Sequence, residues 1–146
     1  MYRKFFCVFL VVFSVGSFAG VITPQWAEHY IKTYQPDLLA GGDNDQVRSF
    51  FYFGRSESGV AVVGMERIRG DNYEAYRWLL LFKEKKMLGW YQDLPEFPLT
   101  MQGDFLNFPK NARYLKNLDL SKTGQLPDIF HSVGRYPFNY ASSVSH

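Results

Sequence analysis

YEAYRWLLLFK, residues 73–83, is the stretch whose reading decides the fold. At the two-residue period of a β-strand, Tyr76, Trp78, Leu80 and Phe82 share one face, and Ala75, Arg77, Leu79, Leu81 and Lys83 share the other. The first row reads as a core face. The second is only partly wet, and such a semi-apolar face is the expected seat for a helix or a partner.

Runs of the same texture flank it. Residues 47–53, 60–69 and 87–94 are rich in β-branched and aromatic side chains. Turn signals separate them: residues 54–59, which begin and end in glycine, then Gly70-Asp71-Asn72, then the charged tip at residues 83–86. Four strands in an antiparallel meander are the expectation. Past Leu94 the chain is punctuated by Pro95, Pro98 and Pro109, and a Gly103-Asp104 turn predicts a fifth strand at 105–108, confined by proline to a sheet edge. Residues 127–132 are expected to make one helical turn closed by Gly134, and 141–146 a frayed tail.

Upstream of the meander, Thr23-Pro24 has the form of a helix start, a capping hydroxyl followed by proline at the first helical position. At 100° per residue, Trp26, Ala27, Tyr30, Ile31 and Tyr34 fall on one arc, with Gln25, Glu28, His29 and Lys32 opposite. Pro36 ends the run, and a further turn through Leu38 and Leu39 stops at Gly41-Gly42. These features predict a single α+β domain over residues 20–146: an N-terminal amphipathic helix packed on a four- to five-stranded, mostly antiparallel curved sheet, followed by an irregular C-terminal segment.

Residues 1–19 read as a cleavable secretory signal peptide. Arg3 and Lys4 form a positive start, residues 5–13 an uncharged apolar run, and Ser17-Phe18-Ala19 a small-residue cleavage site before Gly20. The run turns small and polar too soon for a membrane span, which needs about 20 apolar residues, so no membrane anchor is expected after cleavage. Cys7 lies inside the apolar run, which is not where a lipid-modified cysteine sits. The expected compartment is the bacterial periplasm or the exterior. Cleavage removes the single cysteine and two of the 16 Lys and Arg residues, leaving the basic side chains balanced by the 14 acidic ones. A neutral domain has no field to steer nucleic acid, and a cysteine-free one depends on packing alone.

Motifs for chemistry are sparse. His29, His131 and His146 have no ligand spacing, and Asp43-Asn44-Asp45 lacks the rest of a calcium loop. No phosphate-cradling or nucleophile-elbow motif occurs, so neither cofactor nor metal is expected. The weak acid/base candidates are Glu66 and His131. Glu66 follows the apolar row Val60, Val62, Gly64, and a carboxylate there either serves as a general acid or pairs at the sheet rim with Arg77 or Arg69. His131 stands near Asp128 and Ser132, an adjacency that is not the geometry of a triad.

Residues 88–98 interleave Trp90, Tyr91 and Phe97 with Asp93 and Glu96 and are stiffened by two prolines, the makings of a protein-binding surface or a sugar-stacking platform. The other reading has Trp90 and Phe97 closing the end of the core. The expected function is that of an exported, non-catalytic binding protein, of inhibitor or immunity type, whose partner is another envelope or secreted protein. A small exported hydrolase acting on cell-wall or glycan substrate, with Glu66 and His131 as acid/base groups, is the second reading. A module enclosing an apolar ligand is the third.

Overall fold

The computed structural model describes residues 22–41 and 45–142, without the side chain of Arg48. The expected leader, Asp43 and Asn44 of the acidic loop, and residues 143–146 of the expected tail lie outside the described residues.

Helix α1 (Pro24–Tyr34) begins where Thr23 predicts it, with the threonine hydroxyl accepting from the Trp26 amide at 3.1 Å. Ala27 and Ile31 are buried, and Glu28 and Lys32 form an i,i+4 pair at 3.2 Å on the solvent side. A single 3₁₀ turn, Pro36–Leu38, follows and buries Leu38.

The meander is β1 (Asp45–Arg55), β2 (Ala61–Arg69), β3 (Glu74–Lys83) and β4 (Lys86–Leu94), each strand antiparallel to the next. The fifth strand of this sheet is not at 105–108. It is β10 (Asn139–Tyr140), which returns from the C-terminal region to the free side of β4, so the order is β1-β2-β3-β4-β10. Phe105 to Asn107 do form a strand, β6, within a separate small sheet between β5 (Thr100–Gln102) and β7 (Leu118–Asp119). The expected helical turn at 127–132 is also a strand: β8 (Ile129–His131) makes a hairpin with β9 (Gly134–Tyr136). Ala141, assigned to the tail, is held by a 2.9 Å bond from its amide to the Leu88 carbonyl.

The central sheet is covered on both faces. On one side α1 and the 3₁₀ turn pack Ala27, Ile31 and Leu38 against Ala61, Val63, Met65, Trp78, Leu80 and Phe82. Opposite, the C-terminal segment packs Leu106, Leu118, Leu120, Ile129 and Phe138 against Val60, Val62, Leu79, Leu81 and Tyr91. The helix therefore sits on the Trp78/Leu80/Phe82 face. The semi-apolar face expected to receive it is covered by the C-terminal strands, because Leu79 and Leu81 need an apolar cover as much as the first row does.

A polar clasp joins the layers at the β1–β2 turn. Ser58 donates from its amide to Asp104 at 2.7 Å and from its hydroxyl to the Leu120 carbonyl at 3.1 Å, while the Glu57 amide reaches Gly103 at 2.8 Å. On the far edge, Gly89 lets β10 approach. Its φ is +150°, and a Cβ there would collide with the Asn139 carbonyl and lie 2.8 Å from the Phe138 ring. Gly89→Ala is expected to detach β10 and destabilise the fold by about 2–3 kcal/mol, the scale of overpacking plus backbone strain. An unfolding free energy, from denaturant titration, lowered by less than about a quarter of that would contradict the assignment.

The buried tyrosines set an alkaline limit. Tyr91 donates to the Pro127 carbonyl at 2.6 Å, and burial pushes its hydroxyl far above the ordinary value of about 10. Burial likewise pushes Tyr114 up to about 12. Both groups are raised in the folded chain, so their contribution is complete below about pH 10 and is lost as pH climbs through about 12 and beyond. Thermal melting temperature should be flat from neutral pH to about 10 and then fall, with Tyr91→Phe blunting the fall; an identical alkaline profile in that variant would exclude Tyr91 as its source.

Candidate functional site

Adjacent residues of a strand point to opposite faces, and this divides the set Trp90, Tyr91, Asp93, Glu96 and Phe97. Trp90 lies on the helix side, partly buried, with its ring parallel to Trp78 at 6.3 Å. Tyr91 is fully buried on the other side against Phe138. Phe97 is half-buried there too, among Phe51 and Phe53, and a Cβ on Gly64 would lie 2.9 Å from its ring. The Glu96 side chain is exposed, while its backbone exchanges two hydrogen bonds with the Tyr114 hydroxyl, at 3.1 and 2.6 Å. These five residues do not form one surface.

Asp93 has an architectural position. Between the pairs Leu79↔Tyr91 and Arg77↔Leu94, two residues of β4 oppose only Trp78 of β3, and Asp93 takes a left-handed φ of 58° in this bulge. The kink turns its carboxylate back over the sheet, where it accepts from the Trp78 indole at 2.9 Å and pairs with Arg69 at 3.2 Å. Arg69 also reaches Asp45 at 3.3 Å and lies 4.5 Å over the Tyr76 ring.

The same network contains Arg67, whose importance sequence reasoning missed. This arginine is 2% exposed. Its guanidinium bonds Asp45 at 3.0 Å, the Ala40 carbonyl at 2.8 Å and the Leu38 carbonyl, closing the end of the 3₁₀ turn. One signal was present: Ala61, Val63, Met65 and Arg67 share a face, so a cation continues a core row and must find partners there.

The acid/base candidates are placed as follows. Glu66 is half-buried and stands opposite Arg77 in the β2–β3 register, at the rim of the face covered by the C-terminal segment. His131 is held by backbone at both ring nitrogens: Nδ1 accepts from the Val133 amide at 3.1 Å, and Nε2 bonds the Ala112 carbonyl. Its ring packs edge-on to Tyr114 at 4.9 Å. Trp90 is on the other face of the sheet from Glu66, so the three residues of the hydrolase reading do not meet in one pocket. Among the described residues, no group of three or more His, Cys, Asp or Glu could hold a metal ion. No helix among them is long and apolar enough to cross a membrane.

β1 is the outer strand of the central sheet. β5 approaches it at Gly54, whose Cβ would lie 3.4 Å from Met101. Ahead of that contact Phe51 and Tyr52 are 41% and 42% exposed, on opposite faces of the strand. A groove of about 590 Å³ runs beside the first half of β1, between Gln46, Ser49 and Phe50 and the Pro24, Gln25 and Glu28 end of α1. Comparison with protein-family models, with curated proteins and with solved structures returns no match.

Arg67→Met is expected to cost about 3–5 kcal/mol, the scale for breaking a buried ion pair, because it leaves two turn carbonyls and Asp45 short of donors. Arg67→Lys should recover less than half of this, since a point ammonium cannot reproduce the fork. Urea unfolding that moves by under about 1 kcal/mol in the methionine variant would show the network to be dispensable.

Proposed function

We propose that the protein is an exported, non-catalytic binding protein of inhibitor or immunity type, acting on another envelope or secreted protein. The observation that carries this reading is the outer strand β1, an 11-residue strand with Phe51 and Tyr52 standing out on its two faces. A sheet edge offers a row of backbone donors and acceptors to an incoming strand, and flanking side chains choose which strand is accepted. Aromatics suit that role, since they bring large area at small entropic cost.

The state of the acid/base candidates supports the same reading. His131 spends both ring nitrogens on backbone groups, and Glu66 faces Arg77 across the ladder. Export rests on the leader-like sequence of residues 1–19. The apolar-ligand reading gains nothing from the space between helix and sheet, which is filled by Ala27, Ile31, Leu38 and the side chains they touch.

The test is capture of a partner from the envelope fraction of the producing organism. The double variant Phe51→Lys, Tyr52→Lys should abolish capture while the chain stays folded, because lysine on an edge strand opposes pairing and the fold loses only the contact of the Phe51 ring with Phe97, a fall of a few degrees in melting temperature. Trp90→Ala should leave capture intact. Capture that survives the β1 lysines but fails with Trp90→Ala would move the interface to the helix side, and no specific capture at all would defeat the binding reading.

A further inference from the structure

The C-terminal hairpin carries a second surface of different chemistry. Residues 112–115 run beside β8: Leu115 donates to the Phe130 carbonyl at 3.0 Å, Ser132 donates to the Arg113 carbonyl at 3.1 Å, and Tyr114 bridges His131. Together with β9 this makes a small three-stranded lobe. Its inner side sends Tyr114, Ile129 and Tyr136 into the core. On its outside Leu115 is 70% exposed and Phe130 half-buried, and Val133, in the turn of the hairpin, is 69% exposed.

Cations surround these apolar groups. Arg113 and Lys116 are exposed, and the Lys116 ammonium lies 5.5 Å over the Phe130 ring. Arg135 opposes Phe130 in the hairpin and is 66% exposed, with Asp128 paired to it at 2.8 Å. In a chain whose 16 basic and 14 acidic residues nearly cancel, this lobe is a local excess of positive charge. Protein-binding hot spots favour Trp and Tyr and are poor in Leu and Val. Exposed aliphatics ringed by Lys and Arg are instead the pattern of a surface that rests in a lipid headgroup layer, where acyl chains accept the aliphatics and phosphates accept the cations.

We propose that the outer face of this lobe docks reversibly on an anionic phospholipid surface, with Leu115 and Val133 entering the headgroup boundary and Arg113 and Lys116 at the phosphates. The proposal is independent of the β1 interface, which belongs to the other end of the sheet order. The test uses the protein as it accumulates in the producing cell, with its N-terminus established by mass spectrometry and every variant prepared in the same form. Co-sedimentation with vesicles of phosphatidylglycerol and phosphatidylcholine in equal parts is compared with phosphatidylcholine alone.

Binding is expected only to the anionic vesicles and should fall with salt. Each of Arg113→Gln and Lys116→Gln should weaken it roughly fivefold, the size of one cation's contribution near a charged bilayer. Leu115→Ser with Val133→Ser should weaken it roughly tenfold or more, and all variants are solvent-exposed changes whose unaltered melting temperature shows that the fold persists. Equal binding to both vesicle types, binding unchanged by the variants, or these residues capturing an acidic protein while vesicles stay unbound would each overturn the proposal.

Discussion

β2 and β3 are apolar on both faces, and the rest of the molecule is arranged to satisfy that. Ala61, Val63, Met65, Leu80 and Phe82 face one way, and Val60, Val62, Leu79 and Leu81 the other, all essentially without solvent exposure. A two-sided apolar sheet in water must be the middle layer of three. The helix covers one side with a short stripe. The other side takes about a third of the chain, in which short strands and loops contribute single leucines and aromatics at intervals. The architecture is therefore asymmetric in regularity.

Polar contacts then fix how the layers meet. Near the Leu38 end of the helix layer, Arg67, Asp45, Arg69, Asp93 and Trp78 form a chain of charge-assisted bonds that touches all four meander strands and the 3₁₀ turn. The strained φ of Asp93 belongs to this arrangement, because the bulge aims a carboxylate at two donors that a regular strand would leave apart. At the opposite end of β2, Ser58, Asp104 and Leu120 tie the turn to the small sheet. Apolar burial selects which elements pack; these two seams select their alignment.

The meander was legible in the sequence because each strand carries its own period and stops at its own turn. Val60 to Arg69 and Glu74 to Lys83 need no partner to be recognised, and α1 announces itself through Thr23, Pro24 and its apolar arc. The C-terminal layer was not legible for a physical reason. Strands of two or three residues have no period, and what makes Ile129 to His131 extended is the demand of Leu79 and Tyr91 for cover. Pro127 imitates a helix start, yet Ile129 inward, Phe130 outward and His131 inward is a strand's alternation. The division of the aromatic segment between two faces follows from its own sequence, since Trp90 and Tyr91 are neighbours on a strand and cannot share a face. Arg67 was recognisable from its row, but its carbonyl partners, 27 and 29 residues upstream, were not.

The position of β10 has a consequence for how the chain reaches its folded state. Each hairpin of the meander joins segments close in sequence and can form while later residues are still absent. Leu79, Leu81 and Tyr91, however, wait for residues from 106 to 138, and β4 waits for Asn139 before its outer edge is occupied. Until that return is made, the nascent domain presents a bare aliphatic sheet face beside an open edge, the combination most prone to intermolecular association. A chain built this way loses that exposed surface only in the last step of folding, when the C-terminal third covers residues 60–94.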